Sequence, residues 1–111
     1  NISIVTPGNN SIVISDDGKS IEIKDQNSNS IKLSTDGIVI DSAKDVKISA
    51  KGNITMDAVA KVSVTAKTDV ALSGLNINAT ANVGFTAKGN ATAELSAAGQ
   101  TTVKGAIVMI N

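Results

Sequence analysis

Two carboxylate pairs, Asp16 with Asp17 and Asp41 with Asp45, are the residues whose type and spacing come nearest to chemistry. Paired carboxylates cleave glycosidic bonds, one protonating the leaving oxygen and the other acting as base or nucleophile. Sugar-cleaving sites also need aromatic platforms and a cleft, and this chain has a single aromatic residue, Phe85. The pairs therefore read as turn and solvent residues. Asp-Gly steps at Asp17-Gly18 and Asp36-Gly37 do not form a calcium repeat, because the Gly-Gly-x-Gly-x-Asp signature is missing. With no histidine and no cysteine, His- and thiolate-based metal sites, disulfides and the familiar nucleophilic triads are excluded. The expectation is a non-enzyme with no catalytic, cofactor or metal residues.

Composition narrows the class further. The 111 residues hold ten lysines and no arginine against ten carboxylates, for a net charge of zero. Without excess positive charge, Arg, Trp or Tyr, the chain lacks the phosphate-neutralising and base-stacking groups of nucleic-acid binders. Its 41% apolar content is drawn from Ile, Val, Leu and Ala, which points to a thin, linear core of β-branched residues. No apolar run approaches membrane-spanning length, and the start, Asn1-Ile-Ser-Ile-Val-Thr, is unlike a signal peptide. Opening on Asn1 rather than Met suggests a fragment or a processed chain.

The elements that would carry any site follow an eight-residue beat. Val46/Ile48, Ile54/Met56, Val62/Val64 and Val70/Leu72 are apolar pairs at intervals of eight, each alternating with polar residues. Such period-2 patterning marks strands with one buried face. Between them lie turn-like corners, Lys51-Gly52-Asn53, Lys67-Thr68-Asp69 and Lys88-Gly89-Asn90, where Gly and Asn tolerate positive φ. From Val70 to Leu75 the spacing falls to five, so Ser73-Gly74 reads as closing a truncated unit. The beat then resumes at 75, 83, 91, 99 and 107. In this register Ala91, Ala93, Leu95, Thr101, Val103, Ile107 and Met109 point inward, and an alternative register starts a unit at Leu95. Gly84, between Val83 and Phe85, is expected to relieve crowding beside the largest core residue. Eight of the ten carboxylates lie at or before Asp57, so the far half is Ala-, Thr- and Asn-rich.

The first 45 residues beat less evenly. Apolar pairs at Ile12/Ile14, Ile21/Ile23, Ile31/Leu33 and Ile38/Ile40 are separated by Asp-Gly and Asn/Ser turns, and Pro7-Gly8 marks a turn near the start. Residues 1–45 are expected to form a neck of short strands joining an absent N-terminal domain to the octad array at 46–111. Five strand residues and three corner residues make one side of a triangle. Three sides close either a single-chain solenoid turn of about 24 residues or one level of a three-chain prism. Near-equivalence of consecutive octads and the uncapped apolar ending favour three chains. The predicted fold is all-β: an intertwined homotrimeric parallel β-helix, a triangular β-prism, preceded by the neck.

Octads of the form Ile/Val-x-Ile/Val-x-Ala-Lys-Gly-Asn and the ending from Gly99 through Val103 to Asn111 resemble the C-terminal spike of VgrG proteins and the central baseplate spikes of contractile phages. The segment from Thr6 through Asp16-Asp17-Gly18 to Asp41 is similar to the link between their oligonucleotide-fold domain and the spike. That resemblance implies a contractile injection system, such as type VI secretion, an extracellular injection particle or a phage tail. It implies a structural spike that pierces the target envelope mechanically and passes only transiently through the membrane. Baseplate and tube proteins would engage it through missing N-terminal domains. Assembly would occur in the cytoplasm without a signal peptide, followed by incorporation into a particle and ejection into the extracellular space or target cell. A PAAR-type tip or effector protein would sit on the C-terminal end. Ile107, Val108, Met109, Ile110 and Asn111 are the expected tip-binding residues, with Val108 and Ile110 outward. The competing readings are a tailspike-like β-helix that binds or cleaves carbohydrate and a single-chain adhesin solenoid.

Overall fold

In the computed structural model, which describes all 111 residues, the chain is all-β and has no helix. Its contacts divide it into Asn1–Val62 and Ser63–Asn111. Five strands lie in the first unit: β1 (Ile2–Val5), β2 (Ser11–Ser15), β3 (Ser20–Lys24), β4 (Ser30–Ser34) and β5 (Gly37–Asp41). They form one antiparallel meander in chain order. The four alternating apolar pairs of the sequence each centre a strand, and β1 adds a fifth from Ile2 and Ile4.

The register aligns the aliphatic residues in two unbroken rows. Ile4, Ile12, Ile23, Ile31 and Ile40 stand directly opposite one another, strand to strand. Ile2, Ile14, Ile21, Leu33 and Ile38 form the second row. Both rows share one face because side chains two residues apart along a strand point the same way. The other face carries Ser3, Val13, Glu22, Lys32 and Val39 in register. There Glu22 faces Lys32 across the strands and pairs with Lys24 along its own, at 3.3 Å.

Turn chemistry holds the meander together. Between β1 and β2 the Thr6 and Asn10 backbones close a loop (Thr6 N–H to Asn10 O, 2.9 Å), with Asn9 at φ 68°. Asn10 then reaches across to the β3–β4 turn, its Oδ1 accepting from Gln26 N–H at 2.9 Å. At Asp16-Asp17-Gly18-Lys19 the left-handed residue is Lys19 (φ 51°), while Gly18 donates its N–H to Ser15 Oγ at 2.9 Å. The two-residue β4–β5 turn places Gly37 at φ 107°, a backbone region that side-chain-bearing residues avoid.

Beyond Asp41 there is no strand within the chain, and no backbone–backbone hydrogen bond joins any two residues from 46 onward. Regularity persists in the bends. They fall at 43–44, 51–52 and 59–60 in the first unit, and at 67–68, 75, 82–83, 90–91, 98–99 and 106–107 in the second. The octad is therefore written in the backbone. Where the apolar spacing suggested a five-residue truncated unit at Ser73-Gly74, the bends run straight through and lose a single residue. That one-residue loss shifts the apolar positions from even to odd numbers, consistent with Leu72 before it and Ile77 after it.

The bends also change what Leu75, Val83 and Ile107 do. Each sits at a corner rather than at the first inward position of a strand, and each is among the most exposed aliphatics, Leu75 at 99% and Val83 at 102%. The corners need no left-handed residue, since positive φ occurs only at Asn9, Lys19, Ser28 and Gly37. Gly89 answers a need for space instead: a Cβ there would run into the Thr92 carbonyl. Around Gly84 and Gly52 the space is open, so Gly84 relieves no crowding within the single chain.

Two glycines separate conformational need from room. Gly37→Ala should destabilise the sheet by about 1–3 kcal/mol, the cost of holding a side-chain-bearing residue in a disfavoured backbone region. Gly52→Ala, with open space and no positive φ, should leave it unchanged. Denaturant unfolding followed by circular dichroism compares the two, and equal midpoints would remove the assigned role of Gly37.

Candidate functional site

Nothing in the chain is buried: no residue, apolar or polar, reaches the interior of a core. The sheet shows how unusual this is. In β2 the half-buried residues are Ser11, Val13 and Ser15, whereas Ile12 and Ile14 are exposed. An isolated soluble sheet turns its aliphatic side inward. Here neither side is covered, and the aliphatic rows are left 37–69% exposed, so these exposed aliphatic surfaces are the candidate functional site.

Two grooves run along that aliphatic face. One, of about 590 Å³, is lined by Ile4, Ile12, Ile23, Ile31 and Ile40 and by Val46. The other, of about 540 Å³, is floored by Ile14, Ile21 and Leu33. Asp41 and Asp45 both line the first groove, together with Asp25. Asp16 lines the second, and Asp17 does not. Neither groove has an aromatic wall, and no group of three or more acidic residues is placed to hold a metal ion.

Asp25 has a structural task that sequence reasoning did not assign. Its carboxylate accepts from the backbone N–H groups of Asn27 and Asn29, both at 2.9 Å. It also accepts from their side-chain amides, at 3.2 and 2.9 Å. Asn29 in turn accepts the Ala43 N–H on its Oδ1 at 2.9 Å. A carboxylate at the turn therefore fixes the course of the chain after β5, just before the first octad. The Asp-x-Asn-x-Asn spacing of residues 25–29 is the signal for such a clamp, since short polar side chains bond readily to nearby backbone.

Hydrogen bonds to the charged form, led by that from the Asn29 side chain, hold the Asp25 carboxyl down at about 2. Because the folded value lies below the ordinary 3.8, the ionised clamp stabilises the turn at any pH above that ordinary value. Its contribution is lost as pH falls toward 2. Carboxyl-carbon NMR should place the Asp25 midpoint near 2, and Asn29→Ala should move it back toward 3.8. An unmoved midpoint in that variant would contradict the assignment.

At the other end of the chain Ile107, Met109 and Ile110 are nearly bare, and Val108 is half-exposed at 49%. Gly105 comes close to this segment, where an added Cβ would lie 3.1 Å from the Ile107 carbonyl oxygen and 3.7 Å from Val108 Cγ2. Met109 and Asn111 fall on the odd-numbered side shared by Ile77 and Phe85, with Val108 and Ile110 on the other. No helix is long and apolar enough to cross a membrane. Compared with models of known protein families and with curated proteins, the chain matches none.

Proposed function

We propose that the chain is the shaft of a trimeric β-helical spike from a contractile injection system, a mechanical part rather than an enzyme. One observation carries this reading: bends recur every eight residues from 43 to 107, with a single residue lost between 67–68 and 82–83, yet residues 46–111 share no backbone–backbone hydrogen bond. A single-chain solenoid with triangular turns would join residues about 24 apart through strand ladders at ~4.8 Å spacing. This chain makes no such ladder. Two further copies, winding alongside, would supply the intervening strands and satisfy every peptide group between them. Alternating residues such as Val46, Ile48, Ile54 and Met56 would line the axis. Ser, Thr, Asn and Lys would face water.

Such a prism has no free strand edge along its length, so it would be stiff and resistant to unfolding. A spike of this kind transmits axial force and passes through a bilayer without residing in it. It would be assembled in the cytoplasm, built into a baseplate or particle through further N-terminal parts, and ejected. The exposed C-terminal aliphatics Ile107 to Ile110, present three times around one axis, suit an apolar cap such as a PAAR-type tip protein. Carbohydrate cleavage lacks support, because the acidic groove has no stacking aromatic and Asp25 is tied up in its turn.

Mass in solution is the direct test. Light scattering should give about three times 11.2 kDa, while a value of 11.2 kDa would end the spike reading. The tip assignment has its own check. Val108→Asp combined with Ile110→Asp should lower PAAR-type protein capture at least tenfold while the trimer mass stays the same, and unaltered capture would move the tip site elsewhere.

A further inference from the structure

The octad array has a weakness that its own repeat creates. Consecutive octads are nearly interchangeable, so three chains displaced by one unit would still match apolar side to apolar side over most of the array. The array carries one mark of its own, the single-residue shortening between the bends at 67–68 and 82–83. That mark lies where the single chain makes no backbone–backbone hydrogen bond, so it acts only after chains have already met.

The meander differs on both counts. Its ladders are complete within one chain and connect neighbours in sequence, so it forms before association. Its turns differ in length and residues, so it has no repeat along which to slip. It also presents ten aligned aliphatic residues on a face that its own chain leaves bare. The two rows themselves are wholly aliphatic, whereas Glu22 and Lys32 lie in register on the opposite face. Charged residues line the grooves beside the rows, Lys24, Asp25, Asp41 and Asp45 at the first and Asp16 and Lys19 at the second.

We propose that the aliphatic face of the five-stranded meander is an interface between copies of this chain that forms ahead of the octads and sets their register. The occupant follows from continuity. Val46 lines the Ile4–Ile40 groove and is also the first apolar residue of the octad array. Whatever covers Val46 in the octads therefore also meets that groove. Under the trimeric reading, on which this inference rests, the covering chains are the other two copies. The Asp25–Asn29–Ala43 clamp fixes how each chain passes from one interface to the other.

Register is measurable because the chain has no cysteine. A nitroxide attached through Lys88→Cys, exposed between the bends at 82–83 and 90–91, reports the distances between copies by pulsed electron–electron double resonance. The unaltered sheet should give one narrow distance. Ile12→Asp with Ile23→Asp should keep the trimer mass but add further distances, as chains settle one octad out of step, ~4.8 Å along the axis for each unit. If these aspartates leave no soluble protein, Ile12→Thr with Ile23→Thr reads the same quantity while preserving β-branched side chains. Glu22→Gln with Lys32→Gln, on the opposite face, should leave the distance single. A trimer that keeps one narrow distance in the Ile variants overturns the inference and leaves the spike reading standing. So does equal broadening in the Glu22/Lys32 variant. A monomeric unaltered chain defeats the trimeric reading itself.

Discussion

Backbone hydrogen bonding is the constraint on which the rest of this structure depends. A folded protein pairs nearly all of its buried peptide groups, and a sheet does so through ladders. Residues 1–41 meet that requirement alone, through four antiparallel pairings. Residues 46–111 do not meet it at all, although their bends are regularly placed. They hold a strand-and-corner path without ladders of their own. The aliphatics along the same path are exposed as well, and covering each one fully would be worth ~1.5–3 kcal/mol.

The two parts therefore solve one problem in different ways. The meander spends its polar turn residues on internal connections, Asn10 to Gln26 and Asp25 to Asn29 to Ala43, and leaves only side-chain surface uncovered. The octads leave both side chains and backbone uncovered. Interfaces that join side chains alone tolerate small adjustments, whereas shared ladders lock strands at fixed spacing. One polypeptide thus carries a sheet with its ladders complete next to a stretch that makes none of its own.

Much of the meander was legible because antiparallel hairpins are local. The pairs Ile12/Ile14, Ile21/Ile23, Ile31/Leu33 and Ile38/Ile40 announced their strands through alternation, and Asp36-Gly37 announced a turn, whose positive φ at Gly37 the structure supplies. The assignment went astray where geometry depends on neighbours two or three residues away. Residue type did not reveal that Lys19 takes the left-handed position in the Asp16–Lys19 turn, where Gly18 donates to Ser15 Oγ. Leu75, Val83 and Ile107 looked like inward strand residues because apolarity was the only signal, and the bends place them at corners. A one-residue shortening and a three-residue truncation produce the same change of side in an alternating pattern, so spacing alone favoured the wrong one. The Asp25 clamp escaped notice because its bonds join residues whose types also suit any solvent-exposed turn.

The sequence by itself determined the all-β character, the eight-residue beat, the four central strand pairs of the meander, and the lack of histidine, cysteine and aromatic machinery. Those properties follow from residue type and period, which act over a few neighbouring positions. Tertiary structure alone decided that β1 completes a five-stranded sheet, that ten aliphatics align on one exposed face, and that residues 46–111 share no backbone–backbone hydrogen bond. These depend on strand register and on the path of the chain between bends. Both are set by hydrogen bonds and steric contacts between residues that the periodic pattern does not distinguish.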